Sequence, residues 1–137
     1  LINSLSAESY IKIYSNIDDD LLAHFYSTSH LFVLAHHQLA NGDTEGCPVV
    51  LSEASAAGLP VIAGNDAGSD TVIEDSATGF LIDVTNESLL VDKINFFIHN
   101  EVIRKNFGYN GKTKIHSSFT AEHVSKLFDQ ALMKLCQ

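Results

Sequence analysis

Three things are scarce in this sequence: cysteine, positive charge and long apolar runs. Its two cysteines, Cys47 and Cys136, stand far apart and make neither a disulfide framework nor a metal knuckle, so a reducing compartment is the simpler expectation. Eight Lys+Arg face 17 Asp+Glu, a net charge of -9. That sign excludes holding nucleic acid or an anionic membrane by bulk electrostatics. The longest apolar run, Leu31 to Ala35, is far below the roughly 20 residues needed to cross a bilayer. No signal-peptide pattern opens the sequence and nothing marks a lipid anchor. A soluble, cytoplasmic protein is the expectation.

What is present is a folding chain. Apolar residues fill 45% of 137 positions and charged ones 18%, the balance of one domain with a sizeable core. Short apolar runs alternate with helical patterns, the rhythm of parallel α/β structure. Strands are expected at Tyr10 to Tyr14 (YIKIY), Leu31 to Ala35, Pro60 to Ala63 and Gly79 to Ile82. Helices are expected over about Leu21 to Ser29, from Pro48 to a stop at Gly58, and near Thr71 to Glu74. Three more cover roughly Glu87 to Ile98, Val102 to His116 and Ala121 to Leu135. Asp18, Asp19 and Asp20 supply a cap and first-turn acids to the first helix, a commoner use of such a run than a divalent-metal site. In the last helix Val124, Leu127, Phe128, Ala131 and Leu135 form one apolar stripe, which is ordinary core spacing.

The most informative stretch runs from Glu45 to Gly58, EGCPVVLSEASAAG. Proline just inside its start and glycine just past its end punctuate a helix, and between Pro48 and Ala57 the only charge is Glu53. Glu53 has two readings: an exposed residue sharing a wet stripe with Ser52, or a ligand group. The second starts from geometry. Glu53 lies about five residues, roughly 7 to 8 Å, beyond the helix start, and that start follows the carboxyl end of a strand, where open α/β sheets bind ligands. Free amides around Gly46, Cys47, Val49 and Val50, added to the helix dipole, suit a phosphate, and Gly46 lets the backbone come close. A pyrophosphate there leaves a ribose near Glu53, whose carboxylate can accept from two vicinal hydroxyls. Glu45 would sit on the far side of the phosphates.

With Glu45 and Glu53, the stretch resembles the E-x7-E signature of the retaining family 4 glycosyltransferases, also called group 1, which have GT-B architecture. The likeness continues through EGCPVVLSEASAAGLPVIAGNDAGSDTVIEDSATGFLID, with HFYSTSHLFVLA before it and FGYNGKTKIHSSFTAEHVSKLF closing it. It implies an α/β fold, a Rossmann-like parallel sheet with flanking helices, as the second half of a GT-B C-terminal donor-binding domain. The implied activity is transfer of a hexose, with retention, from a nucleoside-diphosphate sugar to a glycan or lipid-linked acceptor. By resemblance Glu53 binds the ribose diol and Glu45 contacts a hydroxyl of the donor hexose at the catalytic position. Amides from Gly46 through Cys47, Val49 and Val50 contact sugar and phosphate, and Asn16 and Ile17 lie against the base. No metal or other cofactor is implied, because a helix end and cations meet the charge of the leaving diphosphate.

The departures from the family are equally specific. Pro48 has no N–H to direct at a donor. Gly68-Ser69-Asp70-Thr71 stands where the family usually has Gly-x-Pro-Glu, so Thr71 replaces the glutamate and Asp70 is expected to cap the short helix. Laid on the family's pattern, the sequence is expected to lack its first two strands, the Arg and Lys after the first, and the N-terminal acceptor domain; Arg104 and every lysine but Lys12 come after residue 92. The expectation is a partial domain, inactive alone, whose Leu31 to Ala35 edge takes up Tyr10 to Tyr14 or is buried in a homodimer.

Other polar residues have plainer roles. His36 and His37 are expected to face solvent, and Asp43 to serve a turn. Cys47 lies at a helix start, which lowers a thiol pKa, but no basic partner for a nucleophile is in view. The look of GDTEGCP suggests bacterial surface-polysaccharide synthesis, and peripheral attachment at the inner face of the membrane would need the missing half. A non-catalytic nucleotide-binding or scaffold module and a flavodoxin-like domain are the alternatives.

Overall fold

The computed structural model describes residues 7, 9–36, 49–65 and 68–126. Strand β2 (Val61–Gly64) lies between β1 (Phe32–Leu34) and β3 (Gly79–Ile82) in a parallel sheet of order β1-β2-β3. Val33 pairs with Ile62, and Ile62 with Phe80. Each run is short, apolar and closed by glycine, proline or a polar turn, and β2, flanked on both edges, is buried throughout.

Among the described residues the sheet is accompanied by α1 (Asp19–Thr28), α2 (Val49–Ala57), α3 (Ser69–Val72), α4 (Glu87–His99) and α5 (Glu101–Ser118). Successive strand side chains point to opposite faces. Val61 and Ala63 therefore join Leu51 and Ala54 of α2, Val72, Ile73 and Ile115 on one face. Ile62 joins Phe80, Ile82 and Phe97 of α4 on the other. There four rings meet, with Phe97 5.1 Å from Phe80, 5.3 Å from Phe107 and 5.8 Å from Phe96.

Glycine fixes how α2 ends. Gly58 takes φ +89, and the N–H groups of Gly58 and Leu59 donate to the carbonyls of Ser55 and Ala54 at 2.9 and 3.0 Å, which satisfies the last turn of the helix. Gly108 of α5 presses on the Gly58 carbonyl, and Gly111, one turn on, faces Ser55.

The expected strand at Tyr10 to Tyr14 does not form. The N–H groups of Tyr10 and Ile11 both donate to the Ala7 carbonyl at 3.0 Å, and the chain then runs on exposed, with Tyr10 89% and Ile13 78% accessible. Alternating Ile and Tyr suits a pleated surface only where a neighbouring strand supplies a ladder, and among the described residues none lies beside this segment. Tyr14 packs instead on Phe25 of α1, ring centroids 4.8 Å apart. The outer edge of β1 is accordingly unpaired among the described residues.

Two further corrections concern α3 and its cap. The helix starts two residues before the expected Thr71, at Ser69. Its cap is Gly68, in the left-handed region at φ 71, so Asp70 sits inside the first turn and caps nothing. At α1 the expectation holds, since Asp18 Oδ1 accepts from the Leu21 N–H at 2.8 Å. Residues 121–126 are helical, opened by Thr120, whose Oγ1 accepts from the His123 N–H at 3.2 Å. Val124 of the expected stripe is exposed; Leu127, Phe128, Ala131 and Leu135 lie outside the described residues.

Candidate functional site

The carboxyl ends of the three strands, with the first turn of α2, make the candidate site. Val49 and Val50 open α2 with exposed side chains, 69% and 37% accessible. Glu53, the one charge on the helix, follows one turn later, about 6 Å along the axis. Its carboxylate is exposed but engaged, because the Tyr26 Oη–H donates to Oε2 at 2.9 Å. Tyr26 comes from α1, 27 positions earlier, and its ring leans on Phe32 of β1 at 6.1 Å. Burial, then the hydrogen bond and the negative charge of Glu53, push the Tyr26 phenol up from 10.0 to about 12. At neutral pH it is therefore a donor, never an anion, facing a carboxylate that offers about four acceptor sites.

Beyond the end of β1, His36 turns inward rather than to solvent. Its Nδ1 lies 3.2 Å from the Leu34 carbonyl, and its Nε2 lies 3.0 Å from Ser69 Oγ. A carbonyl only accepts, so in the neutral ring Nδ1 carries the proton and Nε2 accepts from the serine hydroxyl. The bond spans 33 positions. It is available because α3 starts at Ser69, which places that buried hydroxyl beside the end of β1. Thr71, standing where the family carries glutamate, turns its Oγ1 onto the Gly68 carbonyl at 2.6 Å. Asn65 extends the β2–β3 pairing by donating its N–H to the Ile82 carbonyl at 3.0 Å.

The expected site residues fall into three groups. Val49, Val50 and Glu53 share one helix. Asn16, at φ 54, and the half-buried Ile17 precede α1, whereas Tyr26 is two turns along that helix, about 10 Å by its rise. Glu45, Gly46 and Cys47, together with His37, Asp43 and Pro48, lie outside the described residues. Sequence reasoning missed Tyr26 and Ser69, whose partners are distant in the chain and carry no local signal.

A parallel sheet with a helix start and a lone carboxylate at its carboxyl end is shared by many folds, and the family comparison separates them. The profile of the family described as "Glycosyl transferases group 1" matches residues 1–114. The chain belongs to this family. Among its relatives is the capsular polysaccharide biosynthesis glycosyltransferase CapM of Staphylococcus aureus, 27% identical over 128 residues that cover 89% of this chain and 32% of CapM. Another is the GDP-mannose-dependent alpha-(1-6)-phosphatidylinositol monomannoside mannosyltransferase of Mycobacterium tuberculosis, 35% identical over 77 residues, 56% of this chain and 20% of that protein. The chain thus spans about a third or less of these relatives.

Solved structures agree on the fold. Sucrose-phosphate synthase from Thermosynechococcus elongatus superposes with a TM-score of 0.81 at 22% identity, over 98% of this chain and 32% of that one. The C-terminal domain of the group 1 protein LpcC from Francisella tularensis gives 0.76 at 21% identity, over 88% and 59%. The group 1 match removes the flavodoxin-like alternative. No helix among the described residues is long and apolar enough to cross a membrane.

Proposed function

We propose that this chain forms the donor side of a glycosyl transfer, binding a nucleoside-diphosphate sugar at the carboxyl end of β1–β3. The diphosphate lies at the start of α2, against the amides of Gly46, Cys47, Val49 and Val50, where the helix dipole favours negative charge. Glu53 accepts from the ribose diol, Glu45 holds a hydroxyl of the hexose, and Asn16 and Ile17 flank the base. Negative charge that builds on the leaving diphosphate is stabilised by the same amides, while Glu45 orients the hexose for transfer, with retention, to a glycan or lipid-linked acceptor. The observation that carries this reading is Glu53, the sole charge on a helix of a group 1 chain, one turn from the start of the helix that follows β1. Relatives named for capsular polysaccharide and amylovoran biosynthesis support an acceptor in surface-polysaccharide assembly.

The test is calorimetric. Hydrogen bonds to a charged group contribute about 1.5 to 3 kcal/mol, so Glu53→Ala in the full-length protein lowers nucleotide affinity at least about tenfold. UDP, ADP and GDP are the probes, GDP because one relative is named for a GDP-sugar. Unchanged affinity overturns the ribose assignment.

A further inference from the structure

The bond between Tyr26 and Glu53 leads further, on the proposed reading that Glu53 receives the ribose. A carboxylate that accepts from two vicinal hydroxyls must present its oxygens in one plane and at one angle, and an exposed glutamate on a helix has several rotamers to choose from. Here one arrangement is held. The phenol donates to Oε2 at 2.9 Å, and the phenol is itself braced, because the ring leans on Phe32 of β1 and packs against the core cluster formed by Leu51, Ala54 and Val61. The brace therefore runs from the central sheet through Tyr26 to the carboxylate. One lone pair is taken by the phenol and the rest remain for a ligand.

We propose that Tyr26 is a positioning residue for the nucleotide ribose, orienting the Glu53 carboxylate so that the site prefers a ribonucleoside diphosphate over its 2′-deoxy counterpart. Tyr26 acts through Glu53 and does not touch the sugar. Its elevated phenol pKa suits the task, since the group stays a donor across the physiological range.

The experiment is a comparison of UDP, GDP and ADP with their 2′-deoxy forms by calorimetry on the full-length protein, for wild type, Tyr26→Phe and Glu53→Gln. Tyr26→Phe keeps the ring and its packing and removes only the hydroxyl. It is expected to lower affinity for the ribonucleotide about three- to tenfold and to leave the 2′-deoxynucleotide within about twofold. The double variant Tyr26→Phe/Glu53→Gln is expected to bind no more weakly than Glu53→Gln alone, the non-additivity of two groups acting as a unit. Equal losses for both nucleotides make Tyr26 merely structural and overturn the proposal. So does an unaltered Tyr26→Phe beside a weakened Glu53→Gln, which leaves the ribose reading of Glu53 standing. If Glu53→Gln itself binds both nucleotides as wild type does, the ribose reading falls and takes this proposal with it.

Discussion

Gly108 of α5 lies directly on the carbonyl of Gly58 at the end of α2 and leaves no room for a side chain between them. A Cβ at this position meets backbone, which cannot step aside. Gly108→Ala is therefore expected to destabilise the fold by about 1–3 kcal/mol, the cost of overpacking, despite the better helix propensity of alanine. At Gly111 the same substitution meets Ser55 and Thr78 at 3.6 and 3.7 Å, ordinary contact distances. There the propensity gain of up to about 1 kcal/mol decides the sign. Urea denaturation of the two variants should separate them in opposite directions, and a neutral Gly108→Ala would disprove the close approach.

Phe97 is the second stability test. It is 1% exposed and touches three other rings, so Phe97→Ala is expected to cost about 3–5 kcal/mol. Against a total of about 5–15 kcal/mol for a domain, that variant should unfold at markedly lower denaturant. Phe96, 36% exposed on the same helix, should lose much less when truncated.

Tyr26 offers an optical readout. A component of tyrosinate absorbance with a midpoint near pH 12 should appear on alkaline titration and vanish in Tyr26→Phe. The folded state holds this proton more tightly than the unfolded chain, so folding stability falls as pH rises from about 10 to about 12 and is unaffected by this group below that window. Glu53→Gln should move the midpoint down, because both the hydrogen bond and the negative charge raise it.

On the proposed reading, Glu45 and Glu53 should separate in kinetics. With Glu45 on the hexose and Glu53 on the ribose, Glu45→Ala should leave the affinity for free nucleoside diphosphate nearly intact while turnover with the sugar donor collapses. Glu53→Ala should weaken both ligands alike. Equal losses in Glu45→Ala would make that glutamate a structural residue of its loop.

The sheet was legible because each of its strands is an apolar run bounded by punctuation: Gly58 and Pro60 before β2, Gly79 at the head of β3. The first helix was legible from its cap, Asp18, which accepts from the Leu21 N–H; the matching cap of α4, Asn86 accepting from the Leu89 N–H, is seen only in the structure. YIKIY misled because period-two patterning reports suitability for a sheet, and whether a neighbour is present is a tertiary fact. His36 misled because two adjacent histidines in a loop resemble solvent-facing residues until Ser69, distant in sequence, is placed beside one of them. Glu53 could be singled out as the one charge on its helix, but Tyr26 could not, since nothing within HFYSTSH announces a partner on another helix. On α5 the glycines Gly108 and Gly111 gave no reading in the sequence, because the element they approach, the end of α2, is known only once the two helices are packed.

That contact of Gly58 with Gly108 makes α2 a lever with its fulcrum at the far end. The helix is 9 residues long, about 13 Å, and Val49 and Val50 are at its tip. A tilt of about 5° at the fulcrum displaces the tip by about 1 Å, a misplacement that can cost a hundredfold in rate. On the proposed reading, the contact of these two glycines would thus help set the aim of the amides at the start of α2, and a substitution there should register in donor binding as well as in stability.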